Sequence, residues 1–163
     1  LSATLKTKTF KWTDEADAAF IELKRRMCSK PILMTPDFSR QFYLAVDASN
    51  ISISGCIFHT IDGVEHPIAF FNKKLNRHQV AYSTVEKECF ALLTAVHMFN
   101  VYFGNTEVIC YTDHSPLVFL DRMSSVNSKL LRWRLDLQQY NLKVVHRKGK
   151  DNILPDILSR PSV

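Results

Sequence analysis

Residues 42–71 read FYLAVDASNISISGCIFHTIDGVEHPIAFF, and their pattern predicts the beginning of a β-sheet. Apolar, aromatic and β-branched residues over Phe42–Val46 and Ile51–Thr60 predict two strands. Asp62-Gly63 between apolar runs is a strong hairpin signal, so we expect a third strand over Pro67–Phe71. Because proline cannot donate to a strand ladder, this third strand is expected at the edge of the sheet. Three antiparallel strands in succession therefore open the sheet.

A long helix follows these strands. Ser83 and Glu86 fit the capping box S-x-x-E, and apolar residues then recur with helical period to about Phe103, before Gly104. The rest of the chain alternates between short elements, which are strand Val108–Thr112, a short helix from Pro116, a helix after Ser125-Val126-Asn127, strand Leu142–Val145 and a final helix that holds Asp156 and ends near Arg160. This order predicts an α/β fold with a mixed sheet of five strands flanked by helices.

Bulk properties favour one globular domain with a polyanionic partner. The chain has 163 residues, 46% of them hydrophobic, and no apolar run of the length that a membrane span needs. Its four cysteines form no C-x-x-C pair and lie in apolar sequence, so we expect buried free thiols. Residues 129–163 carry eight Lys/Arg against three Asp, which accounts for the whole net charge of +5. A basic face suggests a polyanionic partner, with a merely solvated surface as the alternative, and the acidic residues described below favour nucleic acid.

Carboxylates stand at four places in the predicted fold. Asp47 and Asp113 each follow an apolar strand, while Glu88 and Asp156 lie on predicted helices. Hard divalent cations prefer oxygen ligands, and two of them close together need several carboxylates, so this set predicts a two-metal phosphodiester site. The structural alternatives are a turn aspartate at Asp47 and a helix N-cap at Asp113.

Two of these positions have a competing acid nearby. Glu86 already has a structural role, since the box acid reaches back to the Ser83 amide, and small alanines lie on the Glu88 side of the helix. We therefore expect Glu88 in the site and Glu86 in the cap. Asp151 competes with Asp156 for the fourth place, but it is typical of an acid favoured at a helix start.

The four motifs, in their order, resemble the RNase H domain of long-terminal-repeat retrotransposon polyproteins of the Ty3/gypsy type, from about Phe10 to Arg160. The motifs that carry the resemblance are Val46-Asp47-Ala48-Ser49, Ser83-Thr84-Val85-Glu86-Lys87-Glu88, Tyr111-Thr112-Asp113-His114-Ser115-Pro116-Leu117 and Gly149-Lys150-Asp151-Asn152-Ile153-Leu154-Pro155-Asp156-Ile157-Leu158-Ser159-Arg160. The resemblance implies an RNase H-like fold, in which two parallel strands are added to the antiparallel three.

The resemblance also implies an activity and its partners. It implies hydrolysis of the RNA strand of an RNA–DNA hybrid, with Asp47, Glu88, Asp113 and Asp156 holding two Mg²⁺, for which Mn²⁺ can substitute. His146 matches a histidine that assists proton transfer or product release in relatives, or is a polar residue at a strand end. Residues 1–40 would be the appendage that connects a covalently linked polymerase, and residues 41–163 the RNase H domain. The expected location is inside the cell, in the cytoplasm, a virus-like particle or the nucleus.

The candidates for contact with the nucleic acid are Ser83, Thr84, Asn127, Lys129, Arg132, Arg147, Lys148 and Lys150. Four of them, Lys129, Arg147, Lys148 and Lys150, are expected to contact phosphate groups and not bases. Where the family usually has glycine, this chain has Ser52 and Ser54, whose hydroxyls are expected to donate to phosphate or a 2′-hydroxyl. That departure supports an alternative, a catalytically silent, domesticated RNase H-like module that binds nucleic acid or serves as a scaffold. The ending at Asp156 argues against an integrase-like member of the fold.

Overall fold

The computed structural model of the chain describes residues 12–27, 33–115, 127–152 and 155. The described helices and strands are α1 (Asp14–Met27), β1 (Phe42–Ala48), β2 (Ser52–Ile61), β3 (Val64–Lys74), α2 (Arg77–Val80), α3 (Thr84–Phe103), β4 (Val108–Thr112), α4 (Ser128–Leu137), β5 (Leu142–His146) and a 3-10 turn (Gly149–Asp151). The strand order across the sheet is β3-β2-β1-β4-β5. β2 pairs antiparallel with β1 and β3, whereas β4 pairs parallel with β1 and β5. The predicted mixed sheet of five strands is confirmed.

The hairpin between β2 and β3 forms for the predicted reason. Asp62 and Gly63 both have positive φ, 51° and 77°, as the right-handed twist of a two-residue hairpin requires. β3 lies at the sheet edge, as expected, but it runs from Val64 to Lys74 and is longer than predicted. Pro67 is tolerated inside it because it faces Phe58, where the register of the two strands shifts.

The main core lies between α3 and the first two strands. Leu44, Val46, Ile53, Leu92 and Val96 are at most 1% exposed and belong to one buried cluster. Burying a side chain of this size contributes about 1.5–3 kcal/mol relative to leaving it exposed. This cluster fixes the position of α3 over β1 and β2, and therefore the position of any side chain that α3 directs toward the end of the sheet.

One glycine has a steric reason in this core. A Cβ on Gly55 of β2 would lie 2.5 Å from Cε1 of Phe71 on β3, so the ring occupies the space of the missing side chain. The strand pairing at this point depends on that close approach.

The segment before β1 is attached to the sheet by hydrogen bonds. The Met34 amide donates to the Pro67 carbonyl at 2.6 Å, and the Asp37 amide donates to His59 Nε2 at 3.0 Å. His59 is fully buried, and its Nδ1 lies 2.9 Å from the Gln41 carbonyl, which can only accept. Both ring nitrogens are therefore satisfied by backbone, and His59 is a structural histidine.

Two details differ from the sequence-based expectation, and two expected helices are not tested. β1 does not end before Asp47, because Asp47 and Ala48 continue the ladder opposite Ser54 and Ile53. α2 was not predicted, although Asn76 caps it with a complete capping box. The helix expected from Pro116 lies outside the described residues, as does the helix expected to end near Arg160, apart from residue 155.

The expectation of buried free thiols is confirmed for the cysteines in the described part of the chain. Cys56, Cys89 and Cys110 are free and buried, and burial raises the pKa of each thiol to about 12. Cys28 lies outside the described residues. No described helix combines the length and the apolar character that a membrane span needs.

Candidate active site

Three of the four predicted carboxylates meet at one end of the sheet. Oxygens of Asp47, Glu88 and Asp113 all lie within 4.8 Å of one another. The register of the parallel pair explains the two aspartates, because Ala45 of β1 faces Tyr111 of β4 and each aspartate comes two residues later. The carboxyl ends of parallel strands meet at the same edge, so local sequence and topology together bring the two acids together. Glu88 arrives from the second turn of α3.

Two of the three carboxylates are buried, and the cluster is crowded with like charge. Asp47 is 5% and Glu88 3% exposed. Burial first, and then the charges of Asp47 and Asp113, raise the pKa of Glu88 to about 9, although the Ala48 amide acts in the opposite direction. Glu88 Oε2 has no hydrogen-bond partner in the described part of the chain. Such a carboxylate needs either a proton or a cation, and a hard divalent cation fits this oxygen donor set.

The two glutamates of α3 have different roles, as the capping pattern predicted. Glu86 Oε2 accepts the Ser83 amide at 2.8 Å, and Ser83 Oγ accepts the Glu86 amide at 3.3 Å, which completes the capping box. The Ser83 amide is the largest cause that lowers the pKa of Glu86 to about 2, and Lys129 and Asn127 add to it. The expectation that Glu88 enters the carboxylate cluster while Glu86 caps the helix is confirmed.

The end of β5 and the turn after it contact Asp113. His146 Nε2 lies 3.1 Å from the Asp113 carbonyl, and it must donate because a carbonyl only accepts. A Cβ on Gly149 would lie 3.2 Å from Asp113 Oδ2, so glycine permits this approach. His146 thus contacts the backbone of the site and is exposed, and the structure leaves its proposed role in proton transfer or product release as a prediction.

Asn152 is a site-building residue that the sequence analysis missed. Its side chain is 1% exposed, and its Nδ2 donates to the Val46 carbonyl at 2.9 Å, next to Asp47. The motif that contains Asn152 was noticed, but a buried amide has no local sequence signal. Asp151, the competitor of Asp156, lies in the 3-10 turn and is exposed, and it does not belong to the described carboxylate cluster.

The expected role of Ser54 is wrong. Its hydroxyl is fully buried and donates to the Pro155 carbonyl at 2.6 Å, so it cannot donate to a substrate. Ser52 is 8% exposed, and its Oγ lies 3.2 Å from Ser49 Oγ. The serines therefore make internal contacts, and Ser54 attaches the C-terminal segment to β2. Asp156, predicted as the fourth ligand, lies outside the described residues.

Three of the predicted nucleic-acid contacts surround Glu86. Ser83 caps α3, while Asn127 Nδ2 and Lys129 Nζ approach Glu86 Oε1 at 3.1 and 3.0 Å. Thr84 at the start of α3 and Arg132 on α4 are exposed. Thr84 precedes Glu88 by four residues, one turn of α3, so the N-terminus of this helix lies close to the carboxylate cluster.

The predicted basic cluster around Arg147 is divided by the structure. Arg147 pairs with Glu65 at 2.7 Å, and its guanidinium lies 3.8 Å from the ring centroid of Tyr111. It is therefore engaged within the fold. Lys148 is exposed, and the side chain of Lys150 lies outside the described residues. Whether these residues contact phosphate stays a prediction.

The sheet order, with three antiparallel and two parallel strands and acids at the end of the sheet, defines the class of RNase H-like proteins. Residues 12–110 match the family described as an RNase H-like domain found in reverse transcriptase. The chain belongs to this family, which confirms the resemblance.

Curated relatives are retrotransposon polyproteins. The chain is 36% identical over 143 residues to the Pol polyprotein of transposon opus from Drosophila melanogaster, covering 87% of the chain and 14% of that polyprotein. It is 32% identical over 147 residues to that of transposon gypsy from the same organism, covering 89% and 14%. The chain therefore spans about one seventh of the length of these relatives.

Solved structures support the same fold. A foamy viral protease–reverse transcriptase in complex with an RNA/DNA hybrid has a TM-score of 0.59 at 18% identity, over 99% of this chain and 22% of that one. The N-terminal RNase H domain of a Mycobacterium tuberculosis protein has a TM-score of 0.59 at 17% identity, over 73% and 90%. At these identities, the likeness concerns the fold.

Proposed function

We propose that this chain is a ribonuclease H, an endonuclease that hydrolyses the RNA strand of RNA–DNA hybrids within a retrotransposon reverse transcriptase. The observation that carries the proposal is the convergence of Asp47, Glu88 and Asp113 within 4.8 Å, in a domain whose family occurs in reverse transcriptases. The polymerase would be a covalently linked partner, as the polyprotein relatives suggest.

The cofactor in this proposal is a pair of Mg²⁺ ions, for which Mn²⁺ can substitute. Asp47, Glu88 and Asp113 would hold them, together with Asp156 as the predicted fourth ligand. When bound, the ions would activate the attacking water and stabilise the leaving 3′-oxygen. Glu88 Oε2 is buried and has no hydrogen-bond partner in the described part of the chain. This supports a cation at this place, because burial and the charges of Asp47 and Asp113 oppose ionisation of Glu88 more than the Ala48 amide favours it.

The protein groups around the cluster would hold its geometry. The Ala48 amide donates to Glu88, Asn152 holds the β1 backbone beside Asp47, and His146 holds the backbone of Asp113. Side chains fixed by such contacts keep a constellation of ligands in place before substrate arrives. Discrimination between RNA and DNA would come from contacts to 2′-hydroxyls across the wide minor groove.

The serines that suggested a catalytically silent scaffold do not support that alternative. It rested on serines where the family usually has glycine, and Ser54 makes a buried internal hydrogen bond instead of occupying a substrate surface. Asp47, Glu88 and Asp113, which are the described members of the four predicted ligands, lie together in one cluster. A nuclease is therefore the better reading of this site.

A cleavage assay tests the proposal. The purified chain is offered an RNA–DNA hybrid, a DNA duplex and an RNA duplex of the same sequence, with Mg²⁺ or Mn²⁺. We expect cleavage of the RNA strand of the hybrid alone, and loss of that cleavage in Glu88→Gln. Glu22→Gln on α1 is the matched control, since Glu22 pairs only with its helical neighbours Arg25 and Arg26 among the ion pairs of the described chain. Cleavage by Glu88→Gln at the rate of the control would refute the proposed site.

A further inference from the structure

Glu86 joins two helices that are distant in the sequence. Its Oε2 accepts the Ser83 amide at 2.8 Å, at the start of α3. Its Oε1 accepts from Asn127 Nδ2 at 3.1 Å and from Lys129 Nζ at 3.0 Å, at the start of α4. Glu86 as a whole is 8% exposed, so one carboxylate oxygen serves each helix at a largely buried position.

Each partner of Glu86 also has a structural task in its own helix. Ser83 Oγ caps α3, and Asn127 Oδ1 accepts the Leu130 amide at 2.9 Å and caps α4. Lys129 Nζ lies 3.8 Å from the ring centroid of Tyr82, on the segment before α3. The carboxylate therefore sets the distance between two helix N-termini and the place of one ammonium group.

A neutral amide cannot make the contacts of this carboxylate to both helices at once. Glutamine has one acceptor oxygen, whereas Glu86 uses both of its oxygens toward opposite sides. If the glutamine oxygen faces Ser83, its NH₂ group faces the donors Asn127 and Lys129. If it faces α4, the NH₂ group faces the Ser83 amide, so one helix loses its attachment either way.

We propose that Glu86 is a positioning residue for hybrid binding, which holds Ser83, Asn127 and Lys129 in the arrangement that the nucleic-acid backbone recognises. The inference rests on the proposed function and deepens it. Glu86 does not touch the substrate in this account. It acts through the two helix N-termini, whose positive dipole ends favour phosphate oxygens, and through Lys129.

Simple electrostatics predicts the opposite effect. Removing one negative charge from a surface that binds a polyanion strengthens binding. If Glu86 acts only as a charge, Glu86→Gln binds the hybrid more tightly. If Glu86 positions the two helices, the same variant binds more weakly, although its net charge is more favourable. The sign of the change therefore separates the two accounts.

The experiment measures hybrid affinity in Ca²⁺, which blocks turnover, and then kcat and KM in Mg²⁺. For Glu86→Gln we expect affinity to fall about tenfold, the effect of losing one hydrogen bond to a charged group, and KM to rise alongside it. We expect kcat at saturating hybrid to stay within about twofold, because the carboxylate cluster is not altered. The capping box accepts glutamine, and a thermal melt checks that the variant is folded.

Two further variants complete the test. Glu86→Asp keeps the charge but is one methylene too short to serve both helices, so it should also weaken binding, whereas an account based on charge predicts no change. Glu22→Gln is the control, because it also removes one negative charge. Arg25 and Arg26 lower the pKa of Glu22 to about 2, as low as that of Glu86, and this variant should bind the hybrid as the wild type does.

The outcomes distinguish this inference from the proposed function. If the wild type cleaves hybrid and Glu86→Gln binds equally or more tightly, the positioning role is overturned and the nuclease stands. If the wild type neither binds nor cleaves hybrid, both are overturned.

Discussion

Replacing Glu88 by glutamine should stabilise the protein in the absence of metal. Burial and the neighbouring aspartates raise the pKa of Glu88 from 4.5 to about 9. Between these two values the folded chain keeps a proton that the unfolded chain releases. Because the folded state then binds more protons, its stability falls as pH rises through this window. Glutamine has the shape of the protonated acid and carries no proton to lose.

The magnitude follows from the proton difference. One proton corresponds to about 1.4 kcal/mol per pH unit, so from pH 6 to pH 8 the wild type should lose about 2.7 kcal/mol through Glu88 alone. For a chain of this size, that loss corresponds to roughly 5–10 °C in melting temperature. Mg²⁺ should reverse much of the loss in the wild type, since a cation replaces the proton, and should do less for Glu88→Gln.

The assay is urea unfolding in EDTA at several values between pH 6 and 8, for the wild type and Glu88→Gln. The difference between the two curves removes the contribution of the other ionisable groups, which the two proteins share. Glu86→Gln is the matched control. Since the Ser83 amide and its other partners lower the pKa of Glu86 to about 2, it is ionised throughout this range and its replacement should change the stability but not the slope. Equal slopes for the wild type and Glu88→Gln would refute the reasoning.

Three other changes have expected outcomes. Asp47→Asn removes a proposed metal ligand and a like charge, so cleavage should be lost while the melting temperature stays level or rises; wild-type turnover would contradict the proposed two-metal site. Lys148→Gln combined with Lys150→Gln should lower the salt dependence of hybrid binding, titrated in Ca²⁺, by up to about two units of slope, and an unchanged slope would leave both lysines as solvated surface. Ser54→Gly leaves the buried Pro155 carbonyl without its donor. It should cost about 1–3 kcal/mol in urea unfolding, and an unchanged midpoint would show that the hydrogen bond contributes nothing.

Local chemistry made the elements of this fold predictable. The Asp62-Gly63 turn forms because its backbone angles suit these two residues, and the start of α3 at Ser83 follows from a capping box that operates within four residues. The choice of Glu88 over Glu86 was correct for the same reason, since the cap assigned Glu86 a local role. The end of β1 was misplaced, because pairing with Ser54 on the neighbouring strand carries the ladder past Asp47.

Contacts between distant parts of the chain decided the rest. The Ser54 hydroxyl reaches a carbonyl 101 residues away, Asn152 reaches the Val46 carbonyl across 106 residues, and Asn127 reaches Glu86 across 41. No periodicity or capping rule covers such distances, because each contact depends on how α3 and the segment after β5 pack on the sheet. The acids and the helix caps could therefore be identified from the residue types and their spacing. The packing of the folded chain was needed to show that three of those acids meet in one cluster, that Ser54 serves the fold, and that Glu86 ties two helices together.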